Sequence, residues 1–388
     1  MIKTPIPYGH QFISDADIQA VVDVLNSDYL TCGPKIPEFE QVFKEYVGNP
    51  LYAVAVSNAT AGLHLAANAL GVKPGVNVIV TPLTFASSAN CVKFCGGDVT
   101  FCDIDPNTYL MDYNKLKEIL AASPKGTYSG IIVVDFAGYP HNMEILRQVA
   151  DEYGCWIIED ACHAPGAYFI DSQGNKQYTG NSKFADATVF SFHPVKHITT
   201  GEGGMVVTNR KDVYESVTLN RTHGITHEAS KMERCDGNWY YEMVELGFNY
   251  RLTDIQAALG VSQMKLAREN VMRRRQLVKQ YNEAFRDVKG IKTPFEAYNV
   301  HHAYHLYIIQ IDDRKGLYDY LRVHGIYAQV LYYPLHLMPY YKQFGNKEGD
   351  LPVVEEYYKH CLALPMFPTL TDEQQLYVIE KVKEFIIK

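Results

Sequence analysis

The chain has 388 residues, of which 47% are hydrophobic and 21% are charged, and this balance excludes a disordered, fibrous or disulfide-stabilised protein. The length favours two domains. With 36 basic and 44 acidic residues the net charge is −8, and the short basic run Arg273-Arg274-Arg275 fits a solvated helix face better than a nucleic-acid site.

Candidate targeting and membrane segments are missing from the sequence pattern. Residues 1–10 have no apolar region, and no later stretch supplies the ~18 consecutive apolar residues that a bilayer span needs. We therefore expect a cytoplasmic protein that binds neither nucleic acid nor a membrane. The eight cysteines fit a reducing compartment, and the Cys91/Cys95 spacing lacks the further ligands of a structural zinc site, so we expect no metal.

In chain order, the first predicted element is a helix from Ser14, where a polar acceptor and an acidic first turn precede apolar residues at helical spacing. Seven short apolar runs then alternate mostly with helical stretches, which predicts a mostly parallel sheet covered by helices on both faces. A long helical pattern over residues 255–285 leads into a smaller α+β region. We predict a large domain over residues 1–255 and a small domain over residues 256–388. An alternative within this division is that the N-terminal segment packs on the small domain. The apolar runs are Ala53–Val56, Val78–Val80, Val99–Cys102, Ile131–Asp135, Trp156–Glu159, Ala187–Ser191 and Met205–Thr208.

Polar residues close several of these runs, at the sheet edge where α/β proteins bind ligands. Asp160 ends one run, and Ser191 and Lys196 follow another. Taken singly, Lys196 would be a loop lysine and Asp160 a helix cap. Together they offer an amine that can form an imine, a carboxylate that can keep a pyridine nitrogen protonated, and a hydroxyl donor for a phosphate, which are the requirements of pyridoxal phosphate (PLP). A helix that opens at Thr60-Ala61 adds N–H groups and a positive dipole end for the phosphate.

Four segments in a fixed order resemble the DegT/StrS group of sugar-nucleotide aminotransferases, which are fold-type I PLP enzymes. The segments are Ser57–Leu63, Glu159–Ala164, Phe190–Lys196 and Gly247–Gly260. The resemblance runs through essentially the whole chain. It implies an α/β fold with a mostly parallel sheet between helices in a large domain, a smaller C-terminal α+β domain, PLP as cofactor, and a homodimer with shared active sites.

The resemblance also implies roles for individual residues. Lys196 would form the covalent link to PLP, Asp160 would face the pyridine nitrogen, and His163 would lie beside the cofactor as the third member of the catalytic set. Phe85 would stack on the ring, and Asn249 would reach the phosphate held by the neighbouring subunit. The full cofactor-binding set that the resemblance implies is Thr60, Ala61, Phe85, Asp160, His163, Ser191, Lys196 and Asn249.

Within the group, further segments are similar to the transaminases of pseudaminic acid (nonulosonate) synthesis, which form UDP-4-amino-4,6-dideoxy-N-acetyl-β-L-altrosamine. These segments are Arg221–Ile225, Tyr304–Tyr307, Gly325–Val330 and Tyr333–His336. This similarity implies a UDP-linked 4-keto-6-deoxy-N-acetylhexosamine as substrate and glutamate as amino donor. The candidate substrate-binding residues are Leu30, Arg221, His223, His227 and His336.

Other functions remain open at this point. The same PLP apparatus would serve a 3- or 4-aminotransferase of another nucleotide-linked keto-deoxysugar. The dehydratase-like branch of the group carries a histidine in place of Lys196, and a non-catalytic PLP-binding regulator would not need the complete set of Asp160, Ser191 and Lys196. Among the 29 tyrosines, pairs such as Tyr332-Tyr333 favour interface packing over a wall for the sugar nucleotide.

Overall fold

The computed structural model describes residues 5–387 of the chain. In chain order its α-helices are α1 (Asp15–Leu25), α2 (Lys35–Tyr46), α3 (Ala59–Ala69), α4 (Ser87–Phe94), α5 (Tyr113–Ala121), α6 (Met143–Tyr153), α7 (Lys211–Asn220), α8 (Asp254–Met264), α9 (Ala267–Phe285), α10 (Arg314–Val323), α11 (Pro339–Lys342), α12 (Pro352–His360) and α13 (Asp372–Ile387). Its strands are β1 (Tyr52–Val56), β2 (Asn77–Val80), β3 (Asp98–Phe101), β4 (Tyr128–Val134), β5 (Trp156–Asp160), β6 (Tyr168–Ile170), β7 (Lys176–Tyr178), β8 (Ala187–Ser191), β9 (Gly204–Thr208), β10 (Ile225–Thr226), β11 (Glu242–Met243), β12 (Val300–His301), β13 (Tyr307–Gln310) and β14 (Cys361–Leu364). Short 3-10 helices span Phe136–Gly138, Ala229–Lys231 and Leu335–Leu337.

A seven-stranded sheet lies at the centre of the first half of the chain, with the strand order β1-β9-β8-β5-β4-β2-β3. Strands β8, β5, β4, β2 and β3 are mutually parallel, whereas β9 runs antiparallel to both β1 and β8. The loop over residues 192–203 joins β8 to β9 without a helix. Adjacent antiparallel strands can be joined in this way, whereas parallel strands need a crossover connection. The predicted mostly parallel sheet is confirmed, and the carboxyl ends of β4, β5 and β8 lie side by side.

Both faces of this sheet are buried, which explains why its strands are almost continuously apolar. Val54 and Val56 of β1 pack on one face with residues of α3 and α7, and Ala53 and Ala55 pack on the other with residues of α2. The helices therefore form layers on both sides. None of the helices within residues 5–387 is long and apolar enough to cross a membrane.

A second core lies in the C-terminal part, where α9, α10 and α13 enclose the paired strands β13 and β14. Ile6 belongs to this core, and its backbone bonds to Gly325 and Tyr327 fix the N-terminal segment against it. At the other end of the N-terminal region, the hydroxyl of Ser14 accepts a hydrogen bond from the backbone of Asp17 and caps the predicted helix α1.

The long helical pattern over residues 255–285 is two helices, because the chain breaks at Lys265-Leu266 between α8 and α9. Ala257 of α8 packs in the core with β1, β8 and β9, so α8 belongs with the first core by contact. The domain boundary at residues 255/256 stays a prediction. The expectation of a solvated face for Arg273-Arg274-Arg275 is wrong for its middle member, since Arg274 is only 1% exposed.

Candidate active site

A cavity of about 730 Å³ opens at the carboxyl ends of the parallel strands. Val134 of β4, Asp160 of β5 and Ser191 of β8 line it, and Lys196 projects into it from the loop that follows β8. Ligands of open α/β sheets bind at this edge. The structure therefore brings together the amine, carboxylate and hydroxyl that the sequence analysis singled out.

Lys196 is held by a compact loop. Its backbone N–H donates to the carbonyl oxygen of His193 at 2.9 Å, and the hydroxyl of Thr199 donates to that of Phe192 at 3.1 Å. The amine is accessible from the cavity but otherwise enclosed by protein. Burial lowers the pKa of Lys196, the nearby Cys162 and Asp160 act to raise it, and the charge of Arg274 lowers it further.

Asp160 is fixed by hydrogen bonds to both carboxylate oxygens. The hydroxyl of Ser88 donates to Oδ2 at 2.6 Å, and the backbone N–H of Cys162 donates to Oδ1 at 3.2 Å. The hydroxyl of Thr84 in turn donates to that of Ser88 at 2.6 Å. No salt bridge joins Asp160 to a basic side chain anywhere in residues 5–387, so this buried carboxylate is available to a cation in the cavity.

His163 is a neutral ring in the wall of the cavity. Burial holds the pKa of His163 well below its usual value, and the charges of Lys196 and His197 lower it further. Its Nδ1 accepts a hydrogen bond from the backbone N–H of Ala137 at 3.2 Å. The proton of the neutral ring is therefore on Nε2, which lies 3.4 Å from the hydroxyl oxygen of Tyr332 and donates to it.

The other end of the cavity is rich in hydrogen-bond donors. Asn58 caps α3 by accepting from the backbone N–H of Ala61 at 2.9 Å, and the hydroxyls of Thr60 and Ser87 are hydrogen-bonded at 2.8 Å. Asn58, Thr60, Ser87 and Ser191 all line the cavity, whereas Ala61 is buried behind it. The expectation that Ala61 faces the cofactor phosphate is thus not supported, because its N–H is already used by the cap. Phe85 lines the cavity with 62% of its surface exposed.

Besides Ala61, six predicted residues do not line this cavity. The guanidinium of Arg221 is engaged by Glu40, and the buried ring of His336 by Glu355 at 3.0 Å, so the geometry does not support substrate contacts for either. Leu30 and Asn249 are exposed on the surface, and His223 lies in the turn that precedes β10. The ring of His227, a weaker candidate, lies 3.3 Å from the carbonyl oxygen of Tyr240 and is likewise outside the cavity.

The structure adds residues that the sequence analysis missed. Tyr8 and Tyr332 line the cavity from opposite ends of the chain, and Ser87 lines it from the first turn of α4. Burial raises the pKa of Tyr332 well above its usual value, so its hydroxyl stays protonated. The Tyr332-Tyr333 pair is visible in the sequence, but its pattern favours interface packing and does not indicate that Tyr332 lines the cavity. No local pattern indicates Tyr8.

The residues of the cavity fit PLP. A lysine amine, a buried carboxylate without a cationic partner and a hydroxyl-lined helix N-terminus are the three features that the aldehyde, pyridine nitrogen and phosphate of this cofactor require. The sequence predicted this donor set, and its gathering in one cavity is the observation that carries the assignment of the site.

Comparison with known proteins agrees with this chemistry. Residues 11–383 match the DegT/DnrJ/EryC1/StrS aminotransferase family. Among curated relatives, the uncharacterized protein MJ1066 of Methanocaldococcus jannaschii is 39% identical over 98% of this chain and 97% of its own length. The UDP-4-amino-4,6-dideoxy-N-acetyl-beta-L-altrosamine transaminase of Campylobacter jejuni is 34% identical over 98% of this chain and 99% of its own length.

Solved structures of sugar aminotransferases share the whole fold. The PLP form of the putative sugar aminotransferase Spr1654 from Streptococcus pneumoniae superposes with a TM-score of 0.88 at 29% identity, covering 99% of both chains. Helicobacter pylori PseC, an aminotransferase involved in the biosynthesis of pseudoaminic acid, gives a TM-score of 0.88 at 28% identity, covering 99% of this chain and 100% of its own. This chain therefore belongs to the DegT/DnrJ/EryC1/StrS family and is a PLP-dependent sugar aminotransferase.

Proposed function

We propose that this enzyme transfers the amino group of glutamate to carbon 4 of a UDP-linked 4-keto-6-deoxy-N-acetylhexosamine, as a step of pseudaminic acid synthesis. The observation that carries the proposal is the single cavity that holds the Lys196 amine and the Asp160 carboxylate together. The substrate rests on similarity to the C. jejuni transaminase and to PseC.

In this proposal, the chain's own residues hold the cofactor and move the proton. PLP, when bound, supplies an electron sink for the negative charge left on the carbon that loses its proton. Lys196 would hold the cofactor covalently, Asp160 would accept a hydrogen bond from its pyridine nitrogen, and Asn58, Thr60 and Ser191 would hold its phosphate. The hydrogen bonds from Ser88 and Cys162 keep the Asp160 carboxylate oriented for that contact.

Lys196 is also suited to carry a proton. A general base works best when its pKa lies near the operating pH, and burial lowers the pKa of this amine toward that range. The neutral His163 and the protonated Tyr332 form a wall that adds no charge beside the amine. We therefore assign the proton transfer to Lys196.

The cavity would take the cofactor and the reacting end of the sugar nucleotide. Its volume of about 730 Å³ is ordinary for a small-molecule site, which spans roughly 300–1,000 Å³. A ketone must approach the amine it reacts with to within ~3–3.5 Å, so the sugar carbon at that point decides regiochemistry while the distant nucleotide supplies binding energy. We infer that the nucleotide extends past the rim, where a second subunit would complete the site.

A homodimer with shared active sites is part of the proposal. The segment over residues 239–246 exposes several large apolar side chains, including Trp239 at 77% and Leu246 at 83% exposure. Contiguous exposed apolar residues are typical of protein interfaces. Asn249 follows directly and is itself exposed, so a two-fold axis through this surface would bring it toward the partner's phosphate site.

Product analysis tests the substrate. The purified enzyme is incubated with glutamate and a panel of UDP- and dTDP-linked 3-keto and 4-keto sugars, and products are identified by mass spectrometry and NMR, with Lys196→Ala as the inactive control. We expect amination of the UDP-linked N-acetyl sugar at carbon 4. Amination at carbon 3, or of a dTDP-sugar alone, would favour the alternative of a 3- or 4-aminotransferase for another keto-deoxysugar. A wild-type enzyme that keeps its cofactor absorbance unchanged with every donor would indicate a non-catalytic PLP-binding regulator.

A further inference from the structure

Arg274 is a buried cation without a carboxylate partner. It lies on the inner face of α9, and its Nη1 donates to the backbone carbonyl oxygens of Tyr304 at 3.3 Å, His305 at 3.0 Å and Met366 at 3.1 Å. Its flanking residues both have carboxylates, Asp372 for Arg273 and Glu296 for Arg275. Within residues 5–387, no carboxylate lies within salt-bridge distance of Arg274.

Such an arrangement is costly for a protein. A charge removed from water is destabilising unless an opposite charge compensates it, and backbone carbonyls offer only partial dipoles. The Nε atom of Arg274 is also buried without a hydrogen-bond partner among the described residues. If filling space were its role, an apolar side chain of similar length would serve at lower cost. The charge itself is therefore the feature to be explained.

Arg274 lies directly behind the wall of the active site. The backbone of His305 accepts its hydrogen bond, and the ring of His305 lies 4.4 Å from that of His163 and 5.8 Å from that of His197. His163 lines the cavity, and His197 is the next residue after Lys196. One layer of histidine rings thus separates the guanidinium from the lysine amine.

We propose that Arg274 is an electrostatic positioning residue of the active site, whose fixed positive charge behind the histidine layer disfavours a second positive charge at Lys196. The inference rests on the proposed role of Lys196 as the cofactor-linked lysine. Hydrogen bonds to three backbone carbonyl oxygens fix the guanidinium of Arg274, so its positive charge is held at a constant position. These carbonyls belong to Tyr304, His305 and Met366.

The other groups around Lys196 do not duplicate this charge. From β5 and the loop after it, Asp160 and Cys162 act in the opposite direction and raise the pKa of Lys196. Burial holds the rings that face it, those of His163, His197 and His305, at pKa values well below the ordinary one, and the charge of Arg274 further lowers the pKa of the last two.

Two further groups lie near these rings without supplying the charge in question. Burial, and next the charge of Arg275, lowers the pKa of His302, so this ring is neutral as well. Arg275 is compensated by Glu296 at 2.7 Å. Arg274 is therefore the uncompensated cation on this side of the lysine.

The test is a pH titration of the near-visible absorbance of the holoenzyme. Arg274→Met removes the charge. We expect the midpoint of the absorbance titration of the lysine-linked cofactor to rise by on the order of one pH unit, which is a tenfold change in the protonation equilibrium. Arg274→Lys keeps the charge and should leave the midpoint within ~0.3 units of wild type. Arg273→Met and Arg275→Met are matched controls, because each removes a neighbouring cation that already has a carboxylate, and neither should shift the midpoint.

The outcomes separate this inference from the proposed function. Borohydride reduction followed by peptide mass spectrometry first shows whether the cofactor is attached to Lys196; attachment elsewhere overturns the proposed function. With attachment at Lys196 established, an unshifted midpoint in Arg274→Met, or an equal shift in Arg274→Lys, overturns the inference alone. If Arg274→Met does not fold, Arg274→Gln, which keeps polar donors for the carbonyls but has no charge, is titrated in the same way. A raised midpoint supports the inference, and an unshifted midpoint overturns it.

Discussion

The guanidinium of Arg221 is used inside the protein. It donates to the carboxylate of Glu40 at 2.8 Å and to the carbonyl oxygen of Ala55 at 2.7 Å, and both charged side chains are only 18% exposed. Glu40 in turn accepts from the backbone N–H of Ala55. The arrangement ties the end of α7 and the helix α2 to the edge strand β1, which supports a structural role for Arg221 in place of the predicted substrate contact.

We predict that Arg221→Ala lowers stability rather than substrate affinity. Removing one partner leaves Glu40 and the Ala55 carbonyl under-satisfied, at a cost of about 1–3 kcal/mol. We expect a lower thermal midpoint and an unchanged KM for the sugar nucleotide within each folded sample. Arg210→Ala, which removes a more exposed arginine from the same region, should change the midpoint much less. A raised KM at unchanged thermal stability would contradict this assignment and restore a substrate role.

The residues of the site were predictable where a local motif carries the chemistry. Asp160 ends a buried strand and Lys196 follows another, and the carboxyl ends of parallel strands lie at the same edge of a sheet. Tyr8 and Tyr332 were not predictable in this way, because their place beside the cavity depends on how the chain termini fold back. Arg221 shows a second limit of sequence analysis. The sequence of its segment does not reveal whether the arginine faces a ligand or a buried glutamate of the same chain.

At the scale of elements, the ends of β4 and β5 carry two buried acids, Asp135 and Glu159, next to Asp160 of the active site. Asp135 follows β4 and Glu159 lies on β5, and their carboxyls are both buried and near each other. Burial raises the pKa of both carboxyls. The charge of Asp160 raises the pKa of Asp135 further, and the charge of Asp135 raises that of Glu159. Burial also lowers the pKa of the neighbouring His141 to about 3, so this ring is neutral and does not compensate the pair. The pair therefore keeps a proton at neutral pH.

This pair predicts a pH dependence of stability. Above the ordinary carboxyl pKa of about 4, the unfolded chain has released a proton that the folded protein still holds. The free energy of unfolding therefore falls as the pH rises from about 4 to the raised pKa of the pair in the folded protein. We expect the thermal midpoint of wild type to fall between pH 6 and pH 9. In Asp135→Asn the amide can donate to an ionised Glu159 without a titrating proton, so the slope should be smaller.

A helix-cap variant is the control for this prediction. Asp112 caps α5 by accepting from the backbone N–H groups of Asn114 and Lys115, and it lies away from the buried pair. Asp112→Asn keeps a capping acceptor, so it should change the midpoint little and leave the slope unchanged. Parallel curves for wild type and Asp135→Asn would mean that the pair does not hold the proton.

The fold was predictable to the extent that burial leaves a pattern in the sequence. Each of the seven apolar runs is a strand of the central sheet, because a strand buried on both faces cannot alternate with polar residues. The direction of β9 was not predictable, since apolarity carries no orientation. The break at Lys265-Leu266 was hidden because both residues are good helix formers. Arg274 looked like its neighbours because a charge run does not reveal which member faces inward.

At the scale of the whole molecule, the exposed apolar segment over residues 239–246 is a candidate surface for the proposed partner subunit. Trp239, Met243 and Leu246 leave more than half of their surface exposed, which a monomer rarely maintains. The segment is close along the chain to Asn249, which the cavity of its own chain does not include. Covering this surface with a second copy would bury the apolar residues and bring Asn249 to the neighbouring site.

A shared site predicts that two inactive variants restore activity when mixed. Lys196→Ala removes the lysine, and Asn249→Asp places a negative charge where the resemblance puts the partner's phosphate, which should weaken cofactor binding by like-charge repulsion. In a heterodimer of the two, one site carries both lesions and the other carries neither. Random exchange makes half of the dimers heterodimers, so about a quarter of all sites should be intact and activity should recover to about a quarter of wild type. Exchange is verified by native mass spectrometry of differently tagged subunits. Verified heterodimers without activity would contradict a shared site, and activity of Asn249→Asp alone would show that this residue does not reach the phosphate.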